Sequence, residues 1–471
     1  MTSSRIKIGF LALCMDDFDA VLDVDDVRKD KLVNIQEPEY IKPMLSFIKM
    51  FGDLIFPGII GDEKGASKAN KVFREEQIDV IVIHEFTFTL AVTFIKALED
   101  IEVPLIFWNT QENHTFSSNL DFGRVMLNNS ISSIPHSTNV LYQTGRKFKV
   151  ITGHESTQEA YERFKNDFKV ISVKKFLKKC KIGTIGYSYP GMITITTNET
   201  SLRTKIGPSV EHINVFELKS SIKKIKKEEL SRDIEHIKTK FCVNDLRKEE
   251  IEQSVLIYYC LRDILKRRGV HVLASLCGLL ILEPELGLAP CYAQTRLIAD
   301  GIQSACECDI LTAVALVIVE LLANNAWFSE FYMMDMEKNL ILMSHCGYGN
   351  CSMANTKYEI KIVPQPCFPG PRGRGIAFEY SAKAGEITIV SFVEGPEGYK
   401  IVAAEAEAID CKPYKTGCPQ IIAKFKNLKL SDAVEKYCQA GGSHHMVVGY
   451  GNIISELQLL AEYLNIGFEK I

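Results

Sequence analysis

Short apolar runs of strand length, separated by helical segments, set the pattern of most of this chain. Lys7–Leu13 (KIGFLAL), Val80–His84 (VIVIH) and Val103–Trp108 (VPLIFW) are such runs, and helical-looking stretches such as Glu39–Met50 lie between them. Strands alternating with helices predict a parallel sheet with crossover connections. The pattern restarts after the Lys-rich Val173–Lys181. Ile182–Ile185 precedes a Gly-rich turn, and Val270–Ala274 follows a long charged helical stretch, Leu218–Lys266. From about Thr356 the texture changes. Ile360–Val363, Ala377–Tyr380, Glu386–Val393 and Tyr399–Glu407 are short, β-rich and separated by Gly/Pro turns such as PGPRGRG. That reads as a small antiparallel sandwich or barrel. The last forty or so residues return to helix–loop–helix character. The predicted fold is α/β: two doubly wound parallel-sheet domains, 1–176 and 177–350, then a β-rich barrel or sandwich domain, 351–471.

Composition narrows the class. The chain has 471 residues, 46% apolar and 24% charged, enough for several domains with real cores. Its net charge of −4 gives no global reason to expect nucleic acid as a partner. The longest strongly apolar stretch, Leu311–Ala323, carries Glu320 and is too short to span a bilayer, so it reads as a buried helix. The N-terminal apolar run meets two aspartates without an export-type cleavage site, which predicts a cytoplasmic protein. Fourteen cysteines are scattered, with Cys306 and Cys308 the one tight pair, so reduced thiols are expected rather than a disulfide framework. The lysine clusters Lys174–Lys181 and Lys219–Lys227 read as solvated helix faces. There is no GxxxxGK[ST] phosphate loop, and GYGN at 449–452 is only a fragment of a dinucleotide pattern.

A few residues carry chemistry. Histidine is scarce, ten in all, yet His444 and His445 are adjacent in GGSHHMV after a Gly-Gly turn. His345 closes the strand-like Asn339–Ser344 where a loop begins. Glu307 lies in SACECDI just before the buried helix, and Glu330 lies between aromatics in WFSEFY. Two carboxylates and two imidazoles form a mixed O/N set that suits a divalent ion such as Mn²⁺. Their spacing is long and irregular, so the residues alone define no more than a candidate metal site.

The stretch Gly287–Asp309, GLAPCYAQTRLIADGIQSACECD, resembles the strongest block of the L-fucose isomerase/L-arabinose isomerase superfamily. Phe328–Glu330 followed by LILMSHCG is similar to the next block, GGSHHMVVGYG to the Gly-Gly-x-His-His of the arabinose isomerases, and Gly183–Met192 to the start of the second domain. The resemblance implies Glu307 and Glu330 as acid/base pair and metal ligands, with His345 and His445 completing the set. It implies His444 and Met192 as substrate-facing. Gln111, in the Thr-Gln segment, and Asn128, in NNSISS, would reach a sugar bound by a neighbouring subunit. That last stretch lacks the family's histidine, which weakens L-arabinose as substrate; His136 is a candidate replacement.

The function so implied is metal-dependent aldose–ketose isomerisation of a free pentose or hexose, L-arabinose- or L-fucose-like, by a cis-enediol proton transfer. A homo-oligomer, trimer or hexamer, with active sites between subunits goes with it. The alternatives are a non-catalytic sugar-binding or regulatory protein and an epimerase on the same fold. An anionic group on the sugar would have Arg296, Arg372 or Arg374 to meet it, although PRGRG also reads simply as an exposed turn.

Overall fold

The computed structural model describes residues 5–14, 38–112, 128–243 and 245–471, with 115, 118, 120 and 125. The chain divides into two compact units, Ser4–Lys175 and Phe176–Ile471.

The first unit is built on a parallel sheet of β1 (Lys7–Leu13), β2 (Asp53–Ile55), β3 (Ile59–Ile60), β4 (Val80–Glu85), β5 (Leu105–Asn109) and β6 (Lys149–Thr152). Its order is β2-β1-β4-β5-β6, with β3 also on β1. Every residue of β4 is buried, as expected of a central parallel strand covered on both faces. The crossover helices include Glu63–Glu76, Ala91–Ala97 and Ser130–Gln143.

The second unit repeats the theme and then departs from it. β7 (Lys181–Ile185), β8 (Ser209–Ile213), β10 (Val272–Ser275) and β11 (Gln303–Cys306) form a parallel sheet in the order β11-β10-β7-β8. The helices between β7 and β11 include Val215–Ile222, Lys227–Lys240, Lys248–Arg268 and Cys291–Ala299. The stretch expected to be helical from Leu218 to Lys266 is thus three helices, interrupted by β9 (Cys242–Val243). The apolar segment after β11 is the buried helix Ile310–Ala323, capped by Asp309.

Beyond it stands an antiparallel barrel. Its strands are β12 (Trp327–Asp335), β13 (Leu340–Ser344), β16 (Gly385–Gly395), β17 (Gly398–Ala408), β18 (Gln420–Phe425) and β19 (His445–Tyr450). The order β16-β19-β12-β13-β18-β17 closes through the β16–β17 pair, and β20 (Gly467–Lys470) adds in parallel to β17. The expected pair of parallel sheets and β-rich C-terminal barrel are therefore present. Three details differ from the expectation. β14 (Lys361–Pro364) and β15 (Ile376–Glu379) stay out of the barrel and form a small sheet with β9. β12 and β13, which precede residue 351, supply two barrel staves. The final segment is not simply helix–loop–helix: His445–Tyr450 is a buried strand between the helices Leu430–Gln439 and Ile454–Leu464. Six residues are enough for a stave when both neighbours satisfy its backbone.

All fourteen cysteines are free thiols. Among the described residues, no helix is long and apolar enough to cross a membrane.

Candidate active site

Four side chains meet where β11 ends against the barrel. Glu307 and Cys308 both take left-handed backbone conformations, φ 57° and 58°. For non-glycine residues each such conformation costs on the order of 1–3 kcal/mol, and it persists only where the surroundings impose it. The turn swings Glu307 out of the sheet at the carboxyl end of a parallel strand and then starts the buried helix at Asp309. Register does the rest. On β12, Glu330 pairs with His445 of β19 on one side and with Ser344, just before His345, on the other. One row across three barrel strands therefore carries Glu330, His445 and the approach to His345.

The distances follow from that row. Glu330 Oε1 lies 3.2 Å from His445 Nε2 and 3.3 Å from His345 Nε2. Glu307 Oε2 lies 3.3 Å from His445 Nε2 and 3.9 Å from His444 Nε2. Donor atoms of Glu307, His345 and His445 fall within 4.8 Å of one another. His445 and His345 are buried, and the Phe328 ring packs on both, with centroids 4.6 and 4.8 Å away. His444 stacks on His445 and remains partly open.

Asp309 orients His445. Its Oδ2 lies 2.8 Å from His445 Nδ1 and also accepts the Thr312 hydroxyl at 2.6 Å. A carboxylate at Nδ1 holds a proton there and aims Nε2 at the point that Glu307 and Glu330 face. Burial alone would lower the basicity of His445. Asp309, then Glu307 and Glu330, more than offset it and push the group up to about 11. Burial likewise opposes charge on the glutamates, but the histidines prevail: Glu330 is held down to about 2, and Glu307 well below the usual carboxylate range. Three carboxylates crowd a partly buried site and call for positive charge.

A divalent ion fits that demand. Glu307 Oε2 and His445 Nε2 are buried without a hydrogen-bond partner, and both face the same point. Carboxylate oxygens and neutral imidazole nitrogens are the donors such ions take.

The remaining candidates are placed as follows. Met192 lies in the loop after β7, its backbone N–H donating to the Tyr189 carbonyl, while the Tyr189 N–H donates to the Glu307 carbonyl at 3.2 Å. Gln111 follows β5 and Asn128 precedes the helix Ser130–Gln143, both in the first unit, as is His136, whose ring packs near Phe88. Arg372 Nε donates to the Pro284 carbonyl and the Arg374 N–H to Glu250, so the PRGRG turn is tied down by contacts of its own. Asp309 is the residue that sequence reasoning passed over. Its signal was an acidic residue directly before a long apolar helix, which reads as a cap and nothing more.

Comparison with known proteins bears on the family. Residues 325–467 match the L-arabinose isomerase C-terminal domain. The chain is 26% identical over 392 residues to a sulfoquinovose isomerase of Priestia aryabhattai, covering 83% of this chain and 85% of that protein. It is 23% identical over 377 residues to an L-arabinose isomerase of Shouchella clausii, covering 79% and 76%. A third relative, an L-arabinose isomerase of Actinobacillus succinogenes, is 22% identical over 412 residues, covering 84% and 82%. The expected kinship with the sugar isomerases is borne out.

Proposed function

We propose that this chain, an aldose–ketose sugar isomerase akin to the arabinose and sulfoquinovose isomerases, works through Glu307 and Glu330 around a divalent ion, with Mn²⁺ the best match to the donor set. The observation that carries the reading is the convergence of both glutamates with His345 and His445 on one buried point. These four residues would hold the ion. Bound there, it would supply Lewis acidity and a template for two adjacent oxygens of an open-chain sugar.

The protein's own groups then have defined tasks. Isomerisation moves a proton between C2 and C1, and C2–H is weakly acidic. One glutamate takes that proton while the other manages the hydroxyl proton, and the roles exchange in the reverse direction. General acid–base help of this kind is worth about 10²–10⁴-fold, so electrostatic stabilisation must supply much of the remainder. Asp309 keeps His445 in one tautomer. Phe328 walls the two imidazoles from water, and His444 and Met192 face the sugar. Gln111 and Asn128 complete the site from a neighbouring subunit of a homo-oligomer, a trimer or hexamer. Fourteen free thiols suit a reducing compartment, and we place the protein in the cytoplasm.

The substrate is a small aldose. The arabinose isomerase relatives favour a free pentose or hexose, and the sulfoquinovose isomerase relatives favour a hexose bearing a sulfonate. Metal analysis of the purified protein with a ketose-formation screen over L-arabinose, L-fucose, D-glucose and sulfoquinovose tests the proposal. Isomerisation of one of them by metal-loaded protein supports it. Sugar binding without ketose formation would leave a binding protein instead.

A further inference from the structure

Several cysteines gather beside the glutamates, and they meet in pairs. Cys346 directly follows His345, and Cys367 lies on the loop between β14 and β15. Their side chains are hydrogen-bonded to each other. Cys277 and Cys306 make a second such contact. Among the described residues, the donors close enough to share an ion are Glu307, His345 and His445, so the thiols build no metal cage of their own.

Access separates the two pairs. Cys367 is exposed and Cys346 partly buried, whereas Cys277 is partly buried and Cys306 is closed to solvent. An oxidant in solution therefore reaches Cys367 first. The contact is also held from both sides. The Gln365 side chain, itself 1% exposed, accepts the Cys367 N–H at 2.8 Å and the Phe368 N–H at 2.7 Å. The Cys291 thiol donates to the Cys346 carbonyl at 3.4 Å. Disulfide sulfurs stand ~2.0 Å apart, a short approach for two thiols already in contact. The hydrogen bond from Cys346 outweighs partial burial and holds the Cys367 thiol below its ordinary value. That raises the share of thiolate, the nucleophilic form.

We propose that Cys367 and Cys346 are a peroxide-reactive pair, Cys367 attacking and Cys346 resolving, which closes to a reversible disulfide. The Cys367 sulfur attacks a hydroperoxide oxygen; an S–O bond forms, the O–O bond breaks and the departing oxygen takes up a proton. The Cys346 sulfur then attacks the sulfenic acid; an S–S bond forms, the S–O bond breaks and water leaves with the Cys346 proton. Two thiols are oxidised and one peroxide is reduced. The bond would tie the β14–β15 loop to the segment that carries His345.

The reduced full-length protein is treated with hydrogen peroxide, alkylated and mapped by mass spectrometry. A Cys346–Cys367 cross-linked peptide, about 2 Da below the sum of its thiol forms and lost on adding dithiothreitol, is expected. Cys367 should react at least about tenfold faster than Cys438, which is also exposed. Cys346→Ser should leave a sulfenic acid on Cys367 that dimedone traps, and Cys367→Ser should give neither the cross-link nor an adduct on Cys346. Cys367 is on the surface, so its variant keeps the test valid if Cys346→Ser does not fold. Three results would overturn the proposal: no Cys346–Cys367 peptide once Cys367 is oxidised, a cross-link at Cys277–Cys306 in its place, or Cys438 reacting as fast as Cys367.

Discussion

Asp309 Oδ2 and His445 Nδ1 are held 2.8 Å apart, and both side chains are closed to solvent. The same carboxylate caps the helix Ile310–Ala323, accepting the Thr312 N–H at 2.8 Å through Oδ1. One residue thus locks the start of the buried helix to the barrel strand that carries a donor of the candidate metal centre. Asp309→Asn retains the cap and removes the charge at Nδ1. It should lower divalent-ion affinity by about 10–100-fold, the usual cost of losing such a partner, with little change in melting temperature. Calorimetric titration of the metal-free variant with Mn²⁺ checks this, and unchanged affinity would deny Asp309 an orienting role.

Removing either glutamate's charge should abolish turnover without unfolding the protein. Glu307→Gln and Glu330→Gln are each expected to lose at least about 10²-fold in kcat. Steady-state ketose formation measures it, with circular dichroism as the fold control. Near-native turnover in Glu307→Gln would strike that residue from the acid/base pair.

The first unit carries a separate pH signature. Glu85 ends β4 fully buried, its Oε1 accepting the Ser137 hydroxyl at 2.5 Å. Burial, against the help of Ser137 and Ser133, pushes it up from 4.5 to about 7. The folded protein then holds a proton that the unfolded chain has released, so stability falls as pH rises from 4.5 to about 7 and is flat above. Glu85→Gln should remove this dependence and gain up to about 3 kcal/mol at pH 8. Urea denaturation of both proteins at pH 5 and pH 8 decides it; an equal difference at the two values would show that Glu85 ionises normally.

The helix Ile310–Ala323 is the spine of the second unit, and Leu316 within it is inaccessible to solvent. Leu316→Ala should cost about 2–5 kcal/mol through lost burial and a residual cavity. A denaturant midpoint shifted by less than half of that would mean the site collapses around the smaller side chain.

What could be read from the sequence depends on how local the determining physics is. β1, β4 and β5 were legible because strands buried on both faces are near-continuous apolar runs. β19 was not: its six residues follow a Gly-Gly turn and precede a helix, and only pairing with β12 and β16 makes them a strand. β14 and β15 share the composition of barrel strands, and composition does not say which sheet a strand joins. The glutamates and histidines of the candidate site were legible as residues through a family resemblance. Their meeting was not, because it rests on the register Glu330↔His445 and on the left-handed turn at Glu307. Asp309 was not singled out in the sequence, because its pairing with His445, 136 residues away, leaves no local mark.

The most direct test follows deuterium. Protein loaded with Mn²⁺ is incubated with candidate aldoses deuterated at C2, L-arabinose and sulfoquinovose first, and the sugars are followed by NMR. The account predicts ketose formation with deuterium leaving C2, and loss of both in Glu330→Gln. A protein that binds the ion and the sugar yet leaves the C2 deuterium in place across the panel would contradict it.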